Sequence, residues 1–329
     1  LIQSTKEPLV EIFQHKGSSE CNVDPNDPLC NFEQLPYKDF RSKFQNDLSS
    51  SPDSSFVREA LGSGLLSQDR QSINPLKFGV IASTDTHLGI PGAVDESSFQ
   101  GHGGAGKSFR SSIPEGLPDD IEFNPGGLAV AWAEENSRSA IFDAFQRKEV
   151  YGTSGPRFIV RFFVGDNLDK NLCNNPDNIS YAYANATPMG GTFASDSLSQ
   201  PSIFISASAD SSTKDQFIEK LQVVKGVVRN GELLTTVHDV GVTNAQSKLD
   251  IANCEVTGSG EKAMCSVWND PNFNSSENAY YYVRVVANKS CRWSHNLCLQ
   301  NPEYCEADSD ALIPKVIQER AWTSPIWLE

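Results

Sequence analysis

The sequence predicts an α/β part over residues 1–155 followed by a β-rich, sandwich-like part over residues 156–329. Two observations predict the first part. Residues 77–83 (KFGVIAS) are apolar on both faces, as in a buried parallel strand, and residues 137–150 carry apolar side chains at helical spacing. The pattern changes after residues 152–157 (GTSGPR), where alternating apolar and polar segments begin, and this change places the boundary near residue 155.

Local residues indicate the remaining elements of the first part. The run 8–13 (PLVEIF) is apolar apart from Glu11 and predicts a short strand. Asn136 or Ser137 is available as the N-cap of the predicted helix, and Gly152 follows its end. The first part therefore contains at least two strands and a helix.

Four segments indicate strands in the second part. In residues 157–164 (RFIVRFFV), Phe158, Val160, Phe162 and Val164 occupy every second position, and Arg157 and Arg161 lie on the alternate positions. The other strand-like segments are 202–210 (SIFISASAD), 221–240 (LQVVKGVVRNGELLTTVHDV) and 279–287 (AYYYVRVVA). Within the second of these, RNGE is typical of a hairpin turn.

The charge of the chain excludes some partners. The net charge is −15, the isoelectric point is near 4.8, and the basic residues are scattered. This balance argues against nucleic acid or an anionic membrane as the main partner. The sequence also contains no apolar stretch long enough to span a bilayer.

The cysteines and glycosylation sequons favour an oxidising compartment. The chain has eight cysteines and no C-x-x-C pair, so disulfides are expected rather than a structural zinc site, with eight free thiols as the alternative. The short spacings predict Cys21–Cys30 and Cys254–Cys265. The sequence leaves open the pairing of Cys173, Cys291, Cys298 and Cys305. N-x-S/T sequons at Asn178, Asn185, Asn274 and Asn288 suit a secreted or periplasmic glycoprotein.

Residues 101–108 (GHGGAGKS) match the phosphate-binding loop of nucleotide hydrolases. That loop requires a buried strand before it and a helix starting at its Lys-Ser. Here an acidic, serine-rich segment precedes the loop, and Pro114 and Pro118 follow it. We therefore expect a glycine-rich turn in which Lys107 has no role in nucleotide binding.

Two pairs of polar residues accompany the apolar runs of the first part. Asp85 and His87 follow residues 77–83 and are two apart, so they point the same way on an extended backbone. Glu11 lies in the run 8–13, and His15 follows that run, four residues after Glu11. Carboxylates and imidazoles at strand ends are typical metal ligands, so the pairs predict a metal site. The alternatives are a hydrogen-bonded structural histidine and a Glu11 that pairs with a buried arginine.

The other candidate residues are less constrained. Glu20 lies beyond a Gly-Ser turn, and His102 lies among four glycines, so both are candidates for proton transfer or substrate contact. A solvated turn is the alternative for His102. His238 and His295 fall in the β-rich part and are predicted to be structural.

Seven segments together carry a family resemblance: EIFQHKGSSEC, KFGVIASTDTHLGIPGAV, GGLAVAWAEENSRSAIFDAFQRKEVYGTSGPR, LQVVKG, AYYYVRV, CRW and ERAWTSPIW. In this order they resemble the bacterial family called domain of unknown function 3604, which is related to the polymerase-and-histidinol-phosphatase (PHP) superfamily of metal-dependent hydrolases. The resemblance implies a βα barrel of seven strands that binds two or three divalent metals, followed by a β-rich portion. Asp85 and His87 match the last metal motif of the superfamily, and Glu11 and His15 match an earlier one.

One departure from the family is large. Family members begin with a His-x-His strand and a further Asp-His motif, whereas none of the five histidines here are two residues apart. The chain thus resembles the C-terminal half of a full-length member. Either an N-terminal half completes the metal site, or the protein has lost it.

These observations lead to two expectations about function. The first is the C-terminal portion of a metal-dependent, phosphoesterase-like hydrolase, with Asp85, His87, His15 and Glu11 as ligands of Zn, Mn or Fe and with Glu20 and His102 as catalytic residues. Its partners would be a small ester substrate and the missing N-terminal half. The second is a secreted structural or assembly glycoprotein, forming a homo-oligomer or larger assembly, on a degenerate hydrolase scaffold.

Overall fold

The computed structural model describes residues 6–34, 56–86, 89–99, 123–194, 200–300, 302 and 314–329. Within these ranges the helices are α1 (Val57–Gln71), α2 (Arg138–Gln146), α3 (Asn178–Asn185) and α4 (Trp293–Gln300). The strands are β1 (Leu9–Gln14), β2 (Gly17–Ser18), β3 (Gly79–Ala82), β4 (Leu128–Ala131), β5 (Val150–Thr153), β6 (Ile159–Asp166), β7 (Ala186–Pro188), β8 (Thr192–Phe193), β9 (Pro201–Ser208), β10 (Ile218–Arg229), β11 (Glu232–Val242), β12 (Ser247–Asp250), β13 (Glu255–Gly258), β14 (Ala263–Asn269), β15 (Ala279–Cys291), β16 (Val316–Thr323) and β17 (Ile326–Leu328).

These strands form one large sheet and three smaller ones. The large sheet has the antiparallel order β11-β10-β15-β16-β5-β4, and β17 joins it beside β15 and pairs in parallel with β8. The second sheet has the antiparallel order β14-β9-β6-β7. The third has the order β2-β1-β3 with β1 and β3 parallel, and β12 and β13 form a separate hairpin.

The second sheet packs face to face on the large sheet. Residues that alternate along β6, β9, β10 and β15 point into the shared core, as expected for a sandwich. The fully buried members include Phe158, Val160, Phe162, Val164, Ile203, Ile205, Leu221, Val223, Tyr281, Val283 and Val285. The predicted alternation in residues 157–164 is confirmed.

The opposite face of the large sheet is covered by β1, β3 and helix α1. Its core includes Ile12, Phe13, Leu61, Leu65, Val80, Ala82, Val224, Tyr280, Tyr282 and Trp322. The large sheet is therefore buried on both faces. This explains why β15 is buried along its first ten residues and carries apolar side chains at consecutive positions.

The predicted βα barrel is wrong. The described strands form several mainly antiparallel sheets, none of which closes, and the described residues include only four helices. The parallel pairing of β1 with β3 agrees with the strand predicted at 77–83. The strands that follow, β4 and β5, run antiparallel to each other and join the large sheet through β16. A run that is apolar on both faces indicates burial on both sides, and layers other than barrel helices provide that burial here.

Several local predictions are confirmed. Helix α2 starts after Ser137, whose side chain accepts a hydrogen bond from the Ala140 amide. Asn230 and Gly231 both have positive φ in the turn between β10 and β11, as the hairpin signal requires. The boundary near residue 155 stays a prediction: the position lies between β5 and β6, and the large sheet contains strands from both sides of it.

The disulfides formed between described residues are Cys21–Cys30, Cys173–Cys265 and Cys254–Cys291. The predicted Cys21–Cys30 bond is confirmed, and the predicted Cys254–Cys265 bond is wrong. Cys254 lies between β12 and β13 and bonds to the end of β15, whereas Cys265 in β14 bonds to the short 3-10 helix Leu172–Asn174. Close spacing in the sequence did not correspond to proximity across the sheets.

Removing Cys173–Cys265 is expected to lower the free energy of unfolding by about 2–4 kcal/mol, because the bond spans 92 residues and restricts the unfolded chain strongly. Urea unfolding of the C173A/C265A variant under non-reducing conditions measures this loss. A variant that unfolds at the wild-type midpoint would contradict the expectation.

Candidate functional site

Polar side chains converge where β1 and β3 end. Because the two strands are parallel neighbours, their carboxyl ends lie at the same edge of the small sheet. His15 follows β1 and Asp85 follows β3, and Glu11 is paired in register with Ile81. A register shift between Glu11 and Phe13 marks a bulge in β1 beside the site.

Hydrogen bonds connect these side chains into one cluster. The amide of Gln14 donates to Glu11 Oε2 at 3.3 Å and to Asp85 Oδ2 at 3.0 Å. The Ser83 hydroxyl donates to the other oxygen of Glu11. His15 Nε2 lies 3.6 Å from Asp85 Oδ2, so the predicted proximity of His15 and Asp85 is confirmed.

The backbone fixes the position of His15. Its amide donates to the Thr84 carbonyl at 3.3 Å, and its carbonyl accepts from the Asn124 amide at 2.8 Å. The ring lies 5.3 Å from the ring of Phe123. The imidazole is 13% exposed and Asp85 is 44% exposed, so Asp85 forms the accessible side of the pair. Asp85 itself adopts a positive φ of 51° at the end of its strand.

A lysine stands beside the two carboxylates. Burial lowers the pKa of Lys16, and the negative charges of Glu11 and Asp85 act in the opposite direction. The Lys16 ammonium donates to the Ser19 hydroxyl, and its backbone amide donates to Gln14. The local charge is thus partly balanced within the chain.

The side chains of Glu11, His15 and Asp85 are of the types that bind a divalent metal, but their ligand atoms are not arranged closely enough to share one ion. Two carboxylates and one imidazole are ligands that Zn, Mn and Fe accept. Among the residues that the structure describes, however, the ligand atoms of Glu11, His15 and Asp85 do not all lie within 4.8 Å of one another. The Gln14 amide donates to both carboxylates and binds them as a neutral donor. The predicted ligand His87 lies outside the described residues, as do His102 and Lys107.

Glu20 lies in a buried ion cluster. Its side chain is 2% exposed and accepts hydrogen bonds from Arg58 and Arg284, each at 2.9 Å. Trp322 and Tyr282 also donate to it, at 2.7 and 2.8 Å. Burial alone would raise its pKa, but the arginines outweigh burial and lower the pKa to about 2. These surroundings suit a permanently charged structural group better than the predicted catalytic role.

Sequence reasoning missed the partners of Glu20. Asp27 accepts from Arg284 at 2.8 and 3.0 Å and from Arg58 at 2.9 Å. Arg284 is fully buried. The available signal was an arginine inside the apolar segment AYYYVRVVA, since an arginine that cannot reach solvent requires a carboxylate partner.

The remaining predicted residues separate into two groups. His238 lies 5.0 Å from the ring of Trp268, and His295 contacts the Ile251 carbonyl at 2.8 Å, as structural residues do. Among the sequons, Asn185 and Asn274 are exposed and Asn178 is half-buried. Asn288 is 2% exposed and accepts from the Phe217 amide at 2.7 Å, so the folded protein does not offer it for glycosylation.

Residues 2–329 match the family described as Protein of unknown function (DUF3604). Neither the curated proteins nor the solved structures contain a significant match to this chain. Within the described residues, no helix combines the length and apolarity needed to cross a membrane.

Proposed function

The chain belongs to the DUF3604 family, and we propose that it provides one side of the active site of a metal-dependent, phosphoesterase-like hydrolase. The observation that supports the proposal best is the convergence of Glu11, His15 and Asp85 at the carboxyl ends of two parallel strands. Side chains at that edge of parallel strands are typical of α/β enzymes. The relation to the PHP superfamily is part of the same proposal and rests on the Asp85-x-His87 and Glu11–His15 motifs.

Each residue of the cluster has a role in this proposal. Glu11, His15 and Asp85 would hold a divalent Zn, Mn or Fe ion, which when bound lowers the pKa of a coordinated water. The hydroxyl of Ser83 orients Glu11, and Gln14 orients Asp85 through its amide. Asp85 is the most exposed of the candidate ligands described and therefore lies on the substrate side.

The ligand set needs additional members. A di- or trinuclear site requires more nitrogen ligands than His15 provides. We assign these to His87 and to residues supplied by another part of the full protein, in keeping with the resemblance to a C-terminal half. Gln14 then has to release at least one carboxylate when the ion binds, because it now donates to both.

Export from the cytoplasm is part of the proposal. The disulfides Cys21–Cys30, Cys173–Cys265 and Cys254–Cys291 favour an oxidising compartment. In a host that glycosylates, the exposed sequons Asn185 and Asn274 are the sites that we expect to carry glycans.

A structural or assembly protein is the second candidate. It is favoured by one observation, the bridging of Glu11 and Asp85 by the Gln14 amide. In that case the site would stabilise the junction of β1 and β3 and would have no turnover.

Metal content distinguishes the two candidates. We expect the H15A and D85N variants to bind Zn²⁺ or Mn²⁺ at least about tenfold more weakly than the wild-type chain, since each removes a ligand. Elemental analysis after dialysis and a p-nitrophenyl phosphate assay, on this chain and on the full-length product, provide the measurements.

The matched control is H238Q, which removes an imidazole that lies against Trp268 outside the site. It should bind metal as the wild type does. Absence of both metal and hydrolysis from this chain and from the full-length product would reject the hydrolase and favour the structural protein.

A further inference from the structure

A second site lies apart from the Asp85 cluster. A cavity of about 1100 Å³ opens between residues 90–99, the loop 210–216 and strand β13, and Cys254–Cys291 forms part of its wall. Its volume is slightly above the usual range of about 300–1,000 Å³ for small-molecule sites and is far larger than a single ion needs. Small-molecule sites of this kind combine apolar walls with polar groups that orient the ligand.

The lining of the cavity is acidic. Among the residues that the structure describes, six carboxyl side chains line it: Asp95, Glu96, Asp210, Asp215, Glu255 and Glu319. Two basic side chains, Arg157 and Lys214, line the same described part of the wall. The excess of carboxylates favours a cationic ligand over an anionic one.

Glu319 is the most informative of these residues. It is 3% exposed, and the hydroxyl of Ser154 donates to its Oε2. Its Oε1 forms no hydrogen bond, and neither oxygen has an ion-pair partner within 4.0 Å in the described structure. Oε1 lies beside Gly155, at 3.6 Å from where a Cβ on that glycine would be, and both residues line the cavity. A carboxylate oxygen that lines a cavity and has no donor in the protein can accept a hydrogen bond from a ligand in that cavity.

Nearby basic groups bond elsewhere. Arg292 forms an ion pair with Glu33 at 3.1 Å. Arg320 donates to the Leu29 carbonyl at 3.0 Å and lies 3.7 Å from the centre of the Phe32 ring. The carboxyl of Glu319 is therefore left for a group that enters from the cavity.

Glu96 lies close enough to Glu319 for the two charges to interact. Its side chain accepts from the Trp293 amide and from Asn124 at 3.4 Å. Burial raises the pKa of both carboxyls, and each negative neighbour raises it further. The charged groups that face the pair are Glu33, Asp95, Arg292 and Arg320, and the two arginines act in the opposite direction.

We propose that this cavity binds an organic ammonium ligand, with Glu319 and Glu96 as its charge partners. The apolar side chains of Ile90, Val94 and Phe99 line the same cavity and would contact the carbon chain of the ligand. An ammonium supplies both the charge and the hydrogen-bond donors that Glu319 Oε1 lacks. This inference does not depend on the proposed hydrolase function.

The test uses spermidine as the probe and the complete chain in 150 mM salt with EDTA. We expect calorimetry to show one binding site and an affinity that rises at least about tenfold from pH 6 to pH 8.5, because both carboxyls must lose their protons to bind a cation. E319Q should weaken binding at least about tenfold and reduce this pH dependence.

Two further variants keep the result interpretable. E277Q removes a half-buried carboxylate that pairs with Arg229 outside the cavity, and it should bind like the wild type. T257W fills the cavity from its exposed rim and should abolish binding even if E319Q does not fold. Equal affinity in T257W and wild type, or binding of the neutral sugar maltose in place of spermidine, would overturn the proposal. EDTA removes divalent metal ions, so the binding measured does not come from the proposed metal site.

Discussion

Replacing Arg284 with methionine is expected to lower the free energy of unfolding by about 3–5 kcal/mol, because the change leaves buried carboxylates with too few partners. Arg284 is fully buried and donates to Glu20 at 2.9 Å and to Asp27 at 2.8 Å. In the variant, Arg58 still forms ion pairs with both acids, and Arg320 interacts with them electrostatically without an ion-pair contact among the described residues. Methionine keeps much of the apolar volume, so most of the loss comes from the missing charge.

Urea unfolding at pH 7 measures the loss, and its pH dependence identifies the cause. The pKa of Glu20 is lowered to about 2 in the folded protein, so its contribution is present above the ordinary pKa of 4.5 and is lost as pH falls towards 2. Between pH 4.5 and pH 2 the free energy of unfolding should fall less in R284M than in the wild type, because R284M lacks the Arg284–Glu20 ion pair that protonation of Glu20 removes.

The matched control is R229M. Arg229 also pairs with a glutamate, Glu277, at 2.7 and 2.9 Å, but on the exposed surface. Its loss should cost much less stability than the loss of Arg284, because solvent screens an ion pair of an exposed arginine. Equal losses in R284M and R229M would show that the buried cluster contributes no more than a surface pair.

The cluster also shows where prediction from sequence ends. Glu20 follows a Gly-Ser turn near a candidate metal motif, and these local residues indicated catalysis. Its partner Arg284 is 264 residues away, and the contact exists only because β1 and α1 cover the face of β15 that carries Tyr280, Tyr282 and Arg284. No spacing rule connects positions that distant.

Periodicity, in contrast, was sufficient for local structure and for part of the site. Two apolar runs predicted β1 and β3. Their parallel pairing places His15 Nε2 3.6 Å from Asp85 Oδ2. The same signal did not distinguish a barrel from stacked sheets, because a strand buried on both faces has the same continuous apolar sequence in both folds. The cavity lined by Glu319 had no sequence signal, since the described residues of its wall come from separate segments that are far apart in the chain.

The position of β3 beneath β5 depends on a glycine that periodicity did not identify. The Gly127 amide donates to the Ser83 carbonyl at 2.7 Å, which anchors the segment that leads to Asp85. A Cβ on Gly127 would lie 2.1 Å from the Thr153 carbonyl oxygen and 2.8 Å from the Ala82 Cβ. Neither atom is the end of a flexible side chain, so the backbones themselves would have to separate.

We therefore expect G127A to lower the free energy of unfolding by about 3 kcal/mol or more, at the upper end of the cost of overpacking a core. The matched control is G89A. Gly89 has a φ of +65° but nothing within 4 Å of an added Cβ, so only backbone strain of about 1 kcal/mol is expected.

Urea unfolding compares the two variants, and metal binding by folded G127A reports on the site. If β3 is held against β5 as tightly as these distances indicate, G127A should weaken metal binding as well as stability, because Ser83 and Asp85 move with the strand. A G127A variant as stable as G89A would show that the two backbones separate at little cost, and the rigid placement of Asp85 beside His15 would lose its support.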